Sequence, residues 1–146
     1  MDIPRHAHIL VIDGRKSLLF RNEASPTHPK LHLLSHAEHE SPATRDQGTD
    51  RPGQTQSRVG GVRSDYEQTD FHRQDEDRFA ADAARMLERE VLAGRIEALI
   101  VVAAPRTLGE LRKHYHPEVE KRLVGEVAKD IAGRSNKEIQ AIIARS

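Results

Sequence analysis

Ala98-Leu99-Ile100-Val101-Val102-Ala103 decides the fold. Six apolar residues, with Val and Ile at the centre, carry no polar partner in alternation. That pattern predicts a strand buried on both faces, as in the middle of an α/β sheet. Pro105 follows, and Thr107-Leu108-Gly109-Glu110 has the Thr-x-x-Glu spacing of a helix-capping box. A strand, a tight turn and a capped helix make half of a βα unit, so the remaining chain must cover both faces of the strand.

Working outward, the length of 146 residues suits one domain spanning 1–146. Only 36% of the residues are hydrophobic and 3% aromatic, so the core must be mainly aliphatic. The apolar shortage is local. Between Ser41 and Asp70 the large apolar residues are Val59, Val62 and Tyr66, set among glycine, proline, threonine, glutamine and arginine. Such a stretch buries too little to offset its ordering entropy, and residues 41–70 read as one long mobile loop. Upstream of it, His8-Ile9-Leu10-Val11-Ile12 and Ser17-Leu18-Leu19-Phe20-Arg21 flank Asp13-Gly14. This predicts a hairpin closed by a type I′ turn. Leu31 to Ala37 reads as a third strand, with Leu31 and Leu33 on one face and His32, Leu34 and His36 on the other.

Downstream of the loop, Phe79, Ala83, Leu87 and Val91 recur every four residues and predict a long helix from Phe71 to Gly94. Asp75, Glu76 and Asp77 fall in or near its first turns, where the helix dipole favours acids, and Gly94 closes it. A short helix is expected from Thr107 to Lys113, and another beginning at Pro117 with Val119 and Leu123 turned inward. Gly125 to Ile131 fits a strand or a helix; an edge strand is the reading adopted. Ser135-Asn136-Lys137-Glu138 is a second capping box, opening a final helix that packs Ile139, Ile142 and Ile143. The fold class is α/β, a mixed sheet flanked by helices.

Several functions are excluded by composition. Cysteine is absent, which removes disulfides, thiolate catalysis and zinc–cysteine sites. Twenty-three basic residues balance twenty-three acidic ones, so no global field draws nucleic acid or anionic lipid. From Ala104 onward nine Lys and Arg face six Asp and Glu, too small an excess to argue nucleic-acid binding by itself. The N-terminus lacks a signal peptide's apolar core, and the Ala98 run is too short to span a bilayer, so a cytoplasmic protein without membrane contact is expected. His28, His32, His36 and His39 invite a metal reading. On a strand only His32 and His36 share a face, too far apart for one ion, so no metal is assigned. Asp13, Asp130 and the histidines supply acids and bases, but no fixed spacing joins them. No serine elbow, phosphate-binding lysine loop or zinc helix is present. Nothing calls for a cofactor.

Leu99 to Arg112, then Val127-Ala128-Lys129-Asp130 and the closing Ser-x-x-Glu helix, resemble the bacterial host-attachment protein family. Tyr66-x-x-x-Asp70-x-His72 and Arg78-Phe79-Ala80, taken as the opening of the long helix, match its pattern too. That family is similar in fold to the middle domain of archaeal and eukaryotic peptide-chain release factors. There a long glycine-containing loop carries Gly-Gly-Gln, which promotes attack of water on peptidyl-tRNA. In this chain Gly53-Gln54 lacks the first glycine, and Gly60-Gly61 is followed by Val62. A valine has no group to orient water, so the resemblance implies the fold without the termination chemistry.

The function implied is a non-catalytic binding module for structured RNA or the ribosome. Arg58, Gly60, Gly61 and Arg63 of the loop would serve as the contact, with Arg106, Arg112 and Lys113 beside them. The alternative is a protein-interaction or regulatory domain that acts indirectly on attachment to host cells. An unrecognised hydrolase is the third reading.

Overall fold

Strand β1 (His8–Ile12) lies at the middle of the sheet, with every residue buried. The computed structural model describes residues 1–39 and 61–146, with side chains left undescribed over 61–72. The other strands are β2 (Lys16–Asn22), β3 (Leu31–Glu38), β4 (Leu99–Ala103) and β5 (Leu123–Ala128). The helices are α1 (Gly61–Leu92), α2 (Pro105–Arg112), α3 (Pro117–Arg122) and α4 (Asn136–Arg145). Spatial order is β3-β2-β1-β4-β5. The first three strands form an antiparallel meander, and β4 and β5 run parallel to β1. The sheet is therefore mixed, as expected, although β1 and not β4 occupies its centre.

Both faces of β1 and β4 are covered, which explains their unbroken apolar runs. Leu10, Ile12, Leu99 and Val101 point to one face, where Leu87 of α1 and Leu111 of α2 pack on them. Ile9, Val11, Ile100 and Val102 point to the other, where Ile139 and Ile143 of α4 close the layer with Ile3. The fold is a three-layer sandwich with helices on both sides of one sheet. No described helix is long and apolar enough to cross a membrane.

Local chemistry departs from the sequence reading at several points. The hairpin forms, but its turn is centred on Gly14 and Arg15. Positive φ is confined to His6 and Gly94 among the described residues, so the turn is not type I′. The Asp13 carboxylate holds it instead, accepting from the N–H groups of Arg15 at 2.8 Å and Lys16 at 2.7 Å. Helix α1 begins at Gly61, ten residues before Phe71. Residues 41–60 of the expected loop lie outside the described residues, while 61–70 are helical. Asp75, Glu76 and Asp77 consequently sit well inside the helix, and Arg78-Phe79-Ala80 is mid-helix. Its end is as expected: Gly94 at φ 80° donates to the Val91 carbonyl and Arg95 to that of Glu90, the two bonds of a Schellman cap.

Helix α2 starts at Pro105 with Ala104 as N-cap, so Thr107 is already inside and caps nothing. Leu123 begins β5 and does not end a helix; it packs on the α1-side core from there. At the second box Ser135 does cap the helix: its Oγ accepts from Glu138 N–H at 3.2 Å, and its hydroxyl donates to the Glu138 carboxylate at 3.1 Å in place of the backbone N–H of a full box. In β3 a bulge opposite Leu19 and Phe20 shifts the register, pairing His32 with Arg21 and His36 with Leu18. Arg21 and Leu18 lie on opposite faces of β2, so His32 and His36 do not share a face.

Candidate nucleic-acid interface

The loop between β4 and α2 brings Arg106 to the C-terminal end of the parallel strands, the usual place for function in α/β sheets. Arg106 spans two acids of α1, reaching Glu76 at 3.3 Å and Asp77 at 3.0 Å. One turn on, Glu110 follows at i+4 and Lys113 at i+7, on the same stripe of the helix. Lys113 Nζ contacts Glu110 at 2.7 Å. That hydrogen bond holds the Glu110 carboxyl below the usual carboxylate range and raises the Lys113 ammonium. Arg112 turns away from this stripe and grips Glu126 of β5, with Nη2 at 2.7 Å and Nε at 3.2 Å. The hydrogen bonds to Glu126 push the guanidinium pKa up.

All three described cations are thus already paired, yet each remains close to half exposed or more. Exposed pairs of this kind contribute little to stability. Of the loop residues, Arg58 and Gly60 lie outside the described residues. Gly61 is the first residue of α1, and Arg63 lies within that helix. The described part of the predicted set therefore reduces to α2 and its flank.

Three buried polar groups went unread in the sequence. Asp75 is 3% exposed, with Oδ2 3.8 Å from His39 Nε2, and neither atom makes a hydrogen bond among the described residues. The His39 ring also stacks near Phe79, their centroids 6.0 Å apart. The signal for Asp75 was present: it lies one i+4 step before Phe79 on the buried stripe of α1. His8 is 6% exposed, and its Nδ1 has no hydrogen-bond partner among the described residues. Burial, and then the charge of Arg21, lower its pKa. The Tyr115 hydroxyl is buried without a partner among the described residues, and burial pushes its pKa up. No group of three metal-ligating side chains converges among the described residues.

Residues 6–143 match the family model for bacterial archaeo-eukaryotic release factor family 12. The chain belongs to that family. Its release-factor likeness agrees with the resemblance read from the Leu99 to Asp130 block. No curated protein matched the sequence. Among solved structures, the family 12 chain is similar to an archaeal translation termination factor, aRF1, at 14% identity and a TM-score of 0.48. The match covers 87% of this chain and 31% of that one. It is likewise similar to a structure described as an archaeal protein, at 12% identity and a TM-score of 0.48, covering 96% and 33% of the two chains. The family 12 chain spans about a third of the length of these structures.

Proposed function

We propose that this family 12 protein is a non-catalytic binding module that engages structured RNA or the ribosome in the cytoplasm. The single observation that carries the reading is membership of a release-factor family across residues 6–143. Two features support it. Val62 stands after Gly60-Gly61, so the glutamine that would orient a water for peptidyl-tRNA hydrolysis is missing and binding is left without that chemistry. The α2 stripe of Arg106 and Lys113, flanked by Arg112, presents exposed cations that can trade carboxylate partners for phosphates. Arg58, Gly60, Gly61 and Arg63 complete the proposed contact, the glycines permitting close backbone approach.

One observation favours the alternative, a protein-interaction or regulatory domain acting indirectly on attachment to host cells. Each described cation of the set already has an acidic partner, so no bare positive patch remains there. Co-sedimentation with ribosomes from the protein's own cell extract separates the two readings. The RNA reading expects the protein in the ribosomal pellet at low salt and its release as salt rises. Recovery in the supernatant at every salt concentration would overturn it.

A further inference from the structure

The two edges of an open sheet carry unpaired backbone groups, and proteins usually cover or disrupt them. At the start of β3 the edge is covered, because the Leu31 amide donates to Gln140 Oε1 at 2.9 Å. Farther along, no such cover exists among the described residues. The bond from His39 N–H to the Arg15 carbonyl, 2.6 Å, marks a hydrogen-bonded pair at the strand's end. Antiparallel alternation then turns the backbone N–H and C=O groups of His36 and Glu38 away from β2.

Beside this open run lies a groove of about 280 Å³ between β3 and α1. Leu19, Ser35 and Ala37 form its floor, and Phe79, Ala83 and Met86, at i, i+4 and i+7 of α1, form its wall. The small side chains of Ser35 and Ala37 leave that wall uncovered, so the groove is mainly apolar. Its rim carries Asp82, neutralised by Arg85, and Arg89, which makes no ion pair among the described residues. Glu38, one residue beyond Ala37, pairs in register with Lys16 and points to the opposite face of the sheet. The charge left over at this rim is therefore positive.

We propose that β3 accepts an extended segment of a partner protein as a sixth strand. An aromatic or large aliphatic side chain of the segment enters the groove, and an acidic residue two positions on faces Arg89. An extended chain supplies the alternating donors and acceptors that His36 and Glu38 present, and residues two apart share a face, which fits the groove and Arg89 together. A phosphodiester backbone does not supply that alternation, since its phosphates only accept. This surface lies apart from the α2 cations and stands independently of the RNA reading.

The probe is the synthetic peptide acetyl-Thr-Val-Thr-Phe-Thr-Asp-Thr-amide, which places Val, Phe and Asp on one face. Titrated into the isotope-labelled full chain, it is expected to shift the amide signals of His36 and Glu38 saturably below about 1 mM. Two variants on the exposed strand test the geometry without touching the core. Ala37→Trp fills the groove, and His36→Pro removes one outward N–H, a change edge strands tolerate. With thermal unfolding confirming that each variant folds, both are expected to weaken binding at least about tenfold. Replacing the peptide's Asp by Lys is expected to do the same. Absence of saturable shifts, or binding unchanged in both variants, would overturn the proposal. So would two other occupants of the edge: a dimer that dissociates on dilution and in His36→Pro, or slow hydrogen exchange at His36 and Glu38 in the free monomer, meaning the chain's own residues already pair there.

Discussion

The Glu76 carboxyl group lies directly over Gly14: a Cβ built on that glycine would sit 2.6 Å from Glu76 Cδ. The hairpin turn between β1 and β2 is thereby packed against α1 at the point where Glu76 also meets Arg106. Gly14 has no positive φ to protect, so its service is space.

Gly14→Ala must therefore swing Glu76 aside and strip Arg106 of one of its two partners. Stability is expected to change by less than about 1 kcal/mol, since the glutamate end is flexible and alanine restricts the unfolded chain. If Arg106 contacts phosphate, RNA affinity should rise and its salt dependence should steepen, because the cation no longer has to leave Glu76. Filter binding of a structured RNA at several salt concentrations checks this. An affinity equal to that of the wild type would remove Arg106 from the interface.

Ile100 is fully buried on the α4 side of β4, in the same cluster as Ile9 and Ile139. Ile100→Ala is expected to cost roughly 2–5 kcal/mol, the range for deleting most of a buried aliphatic side chain and leaving a cavity. Urea denaturation measures it. A loss under about 0.5 kcal/mol, typical of surface sites, would be incompatible with the packing described.

What the chain disclosed of this fold followed from hydrophobic pattern, and what it hid followed from tertiary contacts. The Ala98 run, the i+4 series through Val91 and the Ser135 box all act within a few residues, so β4, the end of α1 and the start of α4 were legible. The start of α1 was not, because the polar residues after Gly61 carry no stripe and helical form there overrides composition. The bulge in β3 was invisible for a related reason. It depends on the register with β2, so His32 and His36 appeared to share a face when pairing separates them. Of the candidate interface, Arg106, Arg112 and Lys113 are exposed cations, each with an acidic partner. The partners of the two arginines, Glu76, Asp77 and Glu126, lie 30, 29 and 14 positions away in the chain. No local spacing reports such pairs.

His8 gives the protein a predictable acid response. Burial and Arg21 lower its folded pKa beneath the ordinary 6.5. The unfolded chain then takes up a proton that the folded protein refuses, and stability falls as pH drops below about 6.5 toward the folded value. The contribution is fully present above the unfolded pKa. A single such group changes stability by at most about 1.4 kcal/mol per pH unit. The chain has nine histidines, so the test is a difference. Urea unfolding between pH 5 and 7.5 should show a shallower slope in His8→Gln than in the wild type. Equal slopes would mean that His8 is protonated alike in both states.

Fold and chemistry are separable in this release-factor family member. If the chemistry had come with the fold, purified protein would hydrolyse peptidyl-tRNA on ribosomes, and replacing Gly60 and Gly61 would abolish the activity. No such hydrolysis is expected, because Val62 offers no hydrogen-bonding group to orient the attacking water. Arg58 and Arg63, on either side of the glycines, are expected instead to contact phosphate. Replacing both with alanine should weaken RNA binding and make its salt dependence shallower, by roughly one unit of logarithmic slope for each phosphate no longer held. Release of peptide by the wild-type protein would refute the first half of this expectation. An unchanged salt slope in the double variant would refute the second, and the protein-interaction reading would then lead.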